Sequence, residues 1–68
     1  MDWSKAPKDL WSCKAGPFLL KVEPKGDGRW NWHVFKDGTA NAVATGIGSS
    51  LGAARTATEM FAKRSGLL

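Results

Sequence analysis

Two tight-turn signals cut residues 17–48 into three runs of alternating apolar and polar side chains, PFLLKVEP-KGDG-RWNWHVFK-DG-TANAVATGIG. Apolar residues recur with period two at Phe18, Leu20 and Val22, and again at Trp30, Trp32 and Val34. Such alternation marks strands with one buried face. Pro24-Lys25-Gly26-Asp27-Gly28 is dense turn chemistry, and Asp37-Gly38 is a short hairpin signal. Pairing Glu23 with Arg29 across a five-residue loop sets Val22 against Trp30, Leu20 against Trp32 and Phe18 against Val34. That register gathers six apolar side chains on one face. The third strand runs from about Thr39 to Thr45. A two-residue loop places Val43 beside Trp32, whereas a bulge places Ala44 there.

Ser49 or Ser50 can cap a helix that ends near Ser65-Gly66, with Gly66 in the left-handed position. On the helical wheel Leu51, Ala53, Ala54, Ala57, Thr58, Met60 and Phe61 fill the buried half. Gly52, Arg55, Thr56, Glu59 and Lys63 fill the other half. Small residues on the helix complement the broad indoles of Trp30 and Trp32. The expected fold is α+β: a three-stranded antiparallel sheet with one C-terminal helix packed on one face, β-β-β-α. Residues 17–68 form the single domain. Residues 1–16, punctuated by Pro7 and Gly16-Pro17, read as an irregular N-terminal arm anchored by Trp3, Leu10 and Trp11. The expected core holds Phe18, Leu20, Val22, Trp30, Trp32, Val34, Leu51, Ala54, Ala57 and Phe61.

At 68 residues the chain sits near the lower limit for a core without disulfides or metal. A single cysteine, Cys13, excludes an internal disulfide and suits a reducing, cytoplasmic setting. The N-terminal residues mix charges without an apolar core, unlike a signal peptide. No apolar run reaches membrane-spanning length, so no membrane association is expected. The net charge of +4 is spread along the chain, which gives weak attraction to polyanions rather than a concentrated patch.

Catalytic chemistry is not indicated. His33 and Cys13 are two ligands without a third, so no zinc site is expected. Asp27 and Asp37 are turn residues, and Glu23 has Arg29 to pair with. Gly46-Ile47-Gly48-Ser49-Ser50-Leu51-Gly52 has the look of a phosphate-cradling turn. A dinucleotide fold needs a further parallel strand and an acidic residue beyond it, so these glycines read as turn and packing residues. No cofactor is expected.

The uncovered sheet face carries the strongest functional suggestion. Lys21, Arg29, Asn31, His33 and Phe35 sit on the side opposite the helix, a basic, amide and aromatic set suited to DNA or RNA. Lys21, Arg29 and Lys36 are the expected phosphate contacts, and Asn31 and His33 the base contacts. The alternative is a protein-interaction adaptor or inhibitor that uses Trp3, Phe35 and the arm. The chain is expected to be a monomer or a weak homodimer, because a small sheet leaves an exposed edge.

From Gly16 onward the layout resembles the C-terminal β-β-β-α portion of double-stranded RNA-binding domains, on Pro17-Phe18, Gly46-Ile47-Gly48-Ser49-Ser50 and Ala54 with Ala57. That family grips phosphates with consecutive lysines at the start of this helix, where this chain has Ser50, Leu51 and Gly52. It also has a full N-terminal helix in place of the arm, so RNA binding is not implied. The W-x-W-x-V strand, the D-G turn and the alanine-rich helix look like small uncharacterised bacterial and phage β-β-β-α proteins. The same order of elements is similar to integrase arm-site DNA-binding domains, a resemblance that implies reading DNA with the sheet.

Overall fold

A computed structural model describes residues 3–66. Among these residues five strands, not three, form one antiparallel sheet in the order β1-β2-β3-β4-β5, followed by one helix. The strands are β1 (Ser4–Ala6), β2 (Leu10–Ala15), β3 (Phe18–Pro24), β4 (Trp30–Lys36) and β5 (Ala42–Gly48). The helix α1 spans Leu51–Arg64. Each strand therefore pairs with the one before it in the chain.

The two additional strands lie in the segment expected to be an irregular arm. In β2, Trp11, Cys13 and Ala15 alternate with Ser12 and Lys14, a period-two pattern that continues the β3 face. Gly16-Pro17 is a two-residue hairpin loop between Ala15 and Phe18, which pair directly. Gly16 supplies the left-handed conformation there, with φ 57°. A single turn of 3-10 helix at Pro7–Asp9 joins β1 to β2.

The β3–β4 register differs from expectation by two residues. Val22 pairs with Trp32, Leu20 with Val34, Phe18 with Lys36 and Glu23 with Asn31. Pro24 belongs to the strand and pairs with Trp30, so the five-residue loop is Lys25–Arg29. The loop closes through the Lys25 amide, which donates to the Arg29 carbonyl at 2.9 Å. Because side chains alternate with period two, a two-residue shift keeps every one of them on its expected face. Arg29 leaves the sheet and binds Asp27 instead of Glu23. In β5 a register irregularity opposite Val34/Phe35 brings Ala44 against Val34 and Gly46 against Trp32. The bulge thus selects the face that the second alternative for this strand implied, one pair further along.

Ser50 caps the helix by accepting a hydrogen bond from the Ala53 amide at 3.1 Å. Gly66, at φ 76°, ends it. The core comprises Cys13, Ala15, Phe18, Leu20, Val22, Val34, Ala54 and Ala62, with Thr58 fully buried among them. Trp30 and Trp32 are half-buried rather than central. The buried helix stripe is Ala54, Thr58 and Ala62, and both Arg55 and Glu59 are half-buried. It is turned toward Arg55 and Glu59 relative to the expected wheel, and those two side chains reach Trp3 and Trp11. Among the described residues no helix is long and apolar enough to cross a membrane.

The candidate nucleic-acid interface

With the helix on one face, no other described element covers the second face of the five-stranded sheet, which is the open face. Strand pairing sorts its side chains into cross-strand rows. One row runs Ser4–Ser12–Lys21–His33–Thr45, each member paired with the next across all five strands. It contains hydroxyls, an ammonium and an imidazole, and no carboxylate. At about 4.8 Å between strands, the row is roughly 19 Å long. The neighbouring row is Lys14–Leu19–Phe35–Ala42. Phe35 is half-buried there, its ring 6.3 Å from the His33 ring.

Local contacts hold these groups in place. The Lys21 ammonium lies over the Phe35 ring, 5.4 Å from its centroid. His33 Nε2 sits 3.2 Å from Glu23 Oε1, a contact that becomes an ion pair when the imidazole is protonated. Lys14 is ion-paired to Asp37 in the turn after β4. A shallow hollow lined by Ala6, Leu10, Trp11, Ser12 and Lys21 lies at the β1–β2 end of the polar row.

The expected site residues separate into three groups. Lys21, Asn31 and His33 do share the open face, with Asn31 between Glu23 and Ile47. Arg29 lies in the β3–β4 loop. There its guanidinium and amide bind Asp27 and hold that carboxyl below its usual range, the side-chain hydrogen bond acting most strongly. Lys36 pairs with Phe18, so its position belongs to the helix-side face, although the side chain is exposed at the strand end. Sequence reasoning missed Ser4, Ser12 and Lys14, because β1 and β2 were not recognised as strands.

The two candidate partner-binding aromatics also part company. Phe35 is on the open face. Trp3 is half-buried on the helix side, where its indole Nε1 donates to Glu59 Oε2 at 2.8 Å. The Arg55 guanidinium stands 5.2 Å from the Trp3 ring and 5.7 Å from the Trp11 ring. Arg55 and Glu59, placed on the outer half of the expected wheel, instead hold Trp3 and Trp11.

The glycines before the helix serve packing. A Cβ on Gly46 would stand 2.4 Å from Trp32 Cζ2, and one on Gly48 would stand 2.7 Å from the Ala54 amide nitrogen. Cys13 is buried against Leu20 and the core, a small apolar side chain in its setting. Among the described residues, no three His, Cys, Asp or Glu side chains come together as a metal-binding group. Comparison with protein-family models, with curated proteins and with solved structures returns no match.

Proposed function

We propose that this protein is a small non-catalytic binding module that takes single-stranded nucleic acid on its open sheet face. The observation that carries the reading is the carboxylate-free row Ser4–Ser12–Lys21–His33–Thr45 beside the half-buried Phe35. Hydroxyl and cationic donors suit a phosphodiester track, and an aromatic ring on a sheet suits base stacking. Lys21 links the two roles. Its exposed cation–π contact with Phe35 is worth about 0.5–1 kcal/mol, little enough to be exchanged for a phosphate. That exchange frees the ring for a base.

Width favours a single strand over a duplex. A sheet of five strands, about 19 Å across, is broader than the roughly 12 Å major groove. The single-strand mode lays the chain across the strands and needs no groove. A protein-adaptor reading is weakened on one side, because Trp3 is engaged by Glu59 and Arg55.

The test is a residue-resolved NMR titration with single-stranded DNA, single-stranded RNA and duplex DNA at about 50 and 200 mM salt. The expected result is shifts on Ser12, Lys21, His33, Phe35 and Thr45 with a single strand, fading at the higher salt. An open face unmoved by every oligonucleotide at the lower salt would overturn the reading.

A further inference from the structure

The two edges of the sheet are built differently. The β1 edge is three residues long and carries Lys5, which is ion-paired to Asp9 at 3.0 Å. Pro7 and the left-handed Lys8 and Asp9 follow it at once. Short length, charge and proline are the devices that keep an edge from pairing with another chain. The β5 edge has none of them. Its seven residues, AVATGIG, contain no charge and no proline, and its bulge lies at its first residues. Two of its side chains, Val43 and Ile47, are large, apolar and 46% and 52% exposed.

The sequence of β5 is also complementary to itself. Antiparallel pairing of two copies about Thr45 sets Val43 against Ile47 of the second copy, and Ile47 against Val43. Ala44 then meets Gly46, and Thr45 meets Thr45. β-branched residues oppose β-branched residues, with Thr45 and Ile47 on the open face and Val43 at the bulge, and small residues oppose small residues on the helix side. Cross-strand aliphatic and Thr–Thr pairs are stabilising combinations. A two-fold axis perpendicular to the sheet generates this arrangement and gives an isologous interface. It keeps both helices on one side.

We infer that β5 is a homodimerisation edge, at which two copies join antiparallel about Thr45 into one ten-stranded sheet. The dimer has a consequence that rests on the proposed nucleic-acid role. Thr45 ends the polar row, so the join runs the rows of both copies into one continuous track, Lys21–His33–Thr45 followed by the partner's Thr45, His33 and Lys21. A single strand long enough to cross both copies then binds more tightly than one that covers a single row.

The dimer itself is tested without nucleic acid. Sedimentation equilibrium from micromolar to millimolar concentration should show the 7.3 kDa chain doubling in mass. Ile47→Lys, at an exposed position, should abolish the doubling while leaving the circular dichroism and thermal midpoint of the monomer in place. Thr45→Cys should form a disulfide-linked dimer under mild oxidation, and Thr56→Cys on the exposed helix face should not. A single 7.3 kDa species at every concentration overturns the inference. So does a dimer that survives Ile47→Lys while Thr45→Cys fails to cross-link. If the dimer forms and no oligonucleotide binds, the edge stands and the nucleic-acid reading falls. Oligonucleotide binding by a strict monomer gives the converse.

Discussion

Trp3 Nε1 donates to Glu59 Oε2 at 2.8 Å, a hydrogen bond between residues 56 positions apart that ties the residue just before the first strand to the helix. Arg55, one turn before Glu59, covers the same indole and that of Trp11. Together they fasten a three-residue strand too short to be held by its backbone alone.

Removing that fastening should be costly for so small a domain. Trp3→Ala loses a half-buried indole and its hydrogen bond, about 2 kcal/mol in all. Glu59→Ala should cost about 1 kcal/mol by leaving the indole N–H unpaired, and Glu59→Gln less, because an amide oxygen still accepts. Denaturant unfolding monitored by circular dichroism checks the order Trp3→Ala, Glu59→Ala, Glu59→Gln.

The glycines that let helix and sheet approach should resist even one methyl group. Gly48→Ala drives a Cβ against the Ala54 backbone, and Gly46→Ala drives one against the Trp32 ring. Each should cost about 1–3 kcal/mol. Gly48→Ala should be the worse of the two, since a ring can tilt and a capped helix start cannot. Thermal midpoints of the two variants decide it.

Asp27 makes the β3–β4 loop weakly sensitive to acid. The folded state lowers its pKa through the Arg29 contacts. The stabilisation is therefore present above the ordinary carboxylate range and is lost as pH falls through the lowered folded value. Asp27→Asn should lower the thermal midpoint slightly at neutral pH, and the difference should vanish in strong acid. A difference that grows on acidification would contradict this assignment.

On the open face, charge and stacking should separate experimentally. Lys21→Gln should reduce the slope of log K against log salt by about 0.7, the value for one phosphate contact on a single strand. Phe35→Leu should lose about 1–3 kcal/mol of oligonucleotide affinity with the slope unchanged. Lys36→Gln, on a helix-side position, should change affinity less than Lys21→Gln. Fluorescence anisotropy across a salt series reads all three.

Much of the architecture was legible because period-two alternation survives a register error. Phe18, Leu20, Val22 and Val34 are buried as the alternation implied, although Val22 meets Trp32 rather than Trp30. The helix boundaries were legible from Ser50 and Gly66. What was missed is the pair of N-terminal strands, and a signal for β2 was present. Trp11, Cys13 and Ala15 alternate with polar neighbours, and Gly16-Pro17 is short enough to be a hairpin loop. Read as loop punctuation, that dipeptide hid the strand before it. β1 had no such signal, for three residues are too few to show a period. Lys36 was misplaced against available information, since period two from Val34 already assigns it to the helix side. The Arg55–Trp3 contact could not be read locally, because it joins the two ends of the chain.

A meander in which every strand adds to its predecessor also has kinetic meaning. Its hairpins close over short loops, so most of the sheet can zip up with little loop-closure entropy. The Trp3–Glu59 bond is the exception, since it cannot form until the last helix exists. During synthesis β1 emerges before the other four strands of the sheet and is the last of the five to be secured. Its backbone can pair with β2 early, but the indole beside it waits for a residue made 56 positions later.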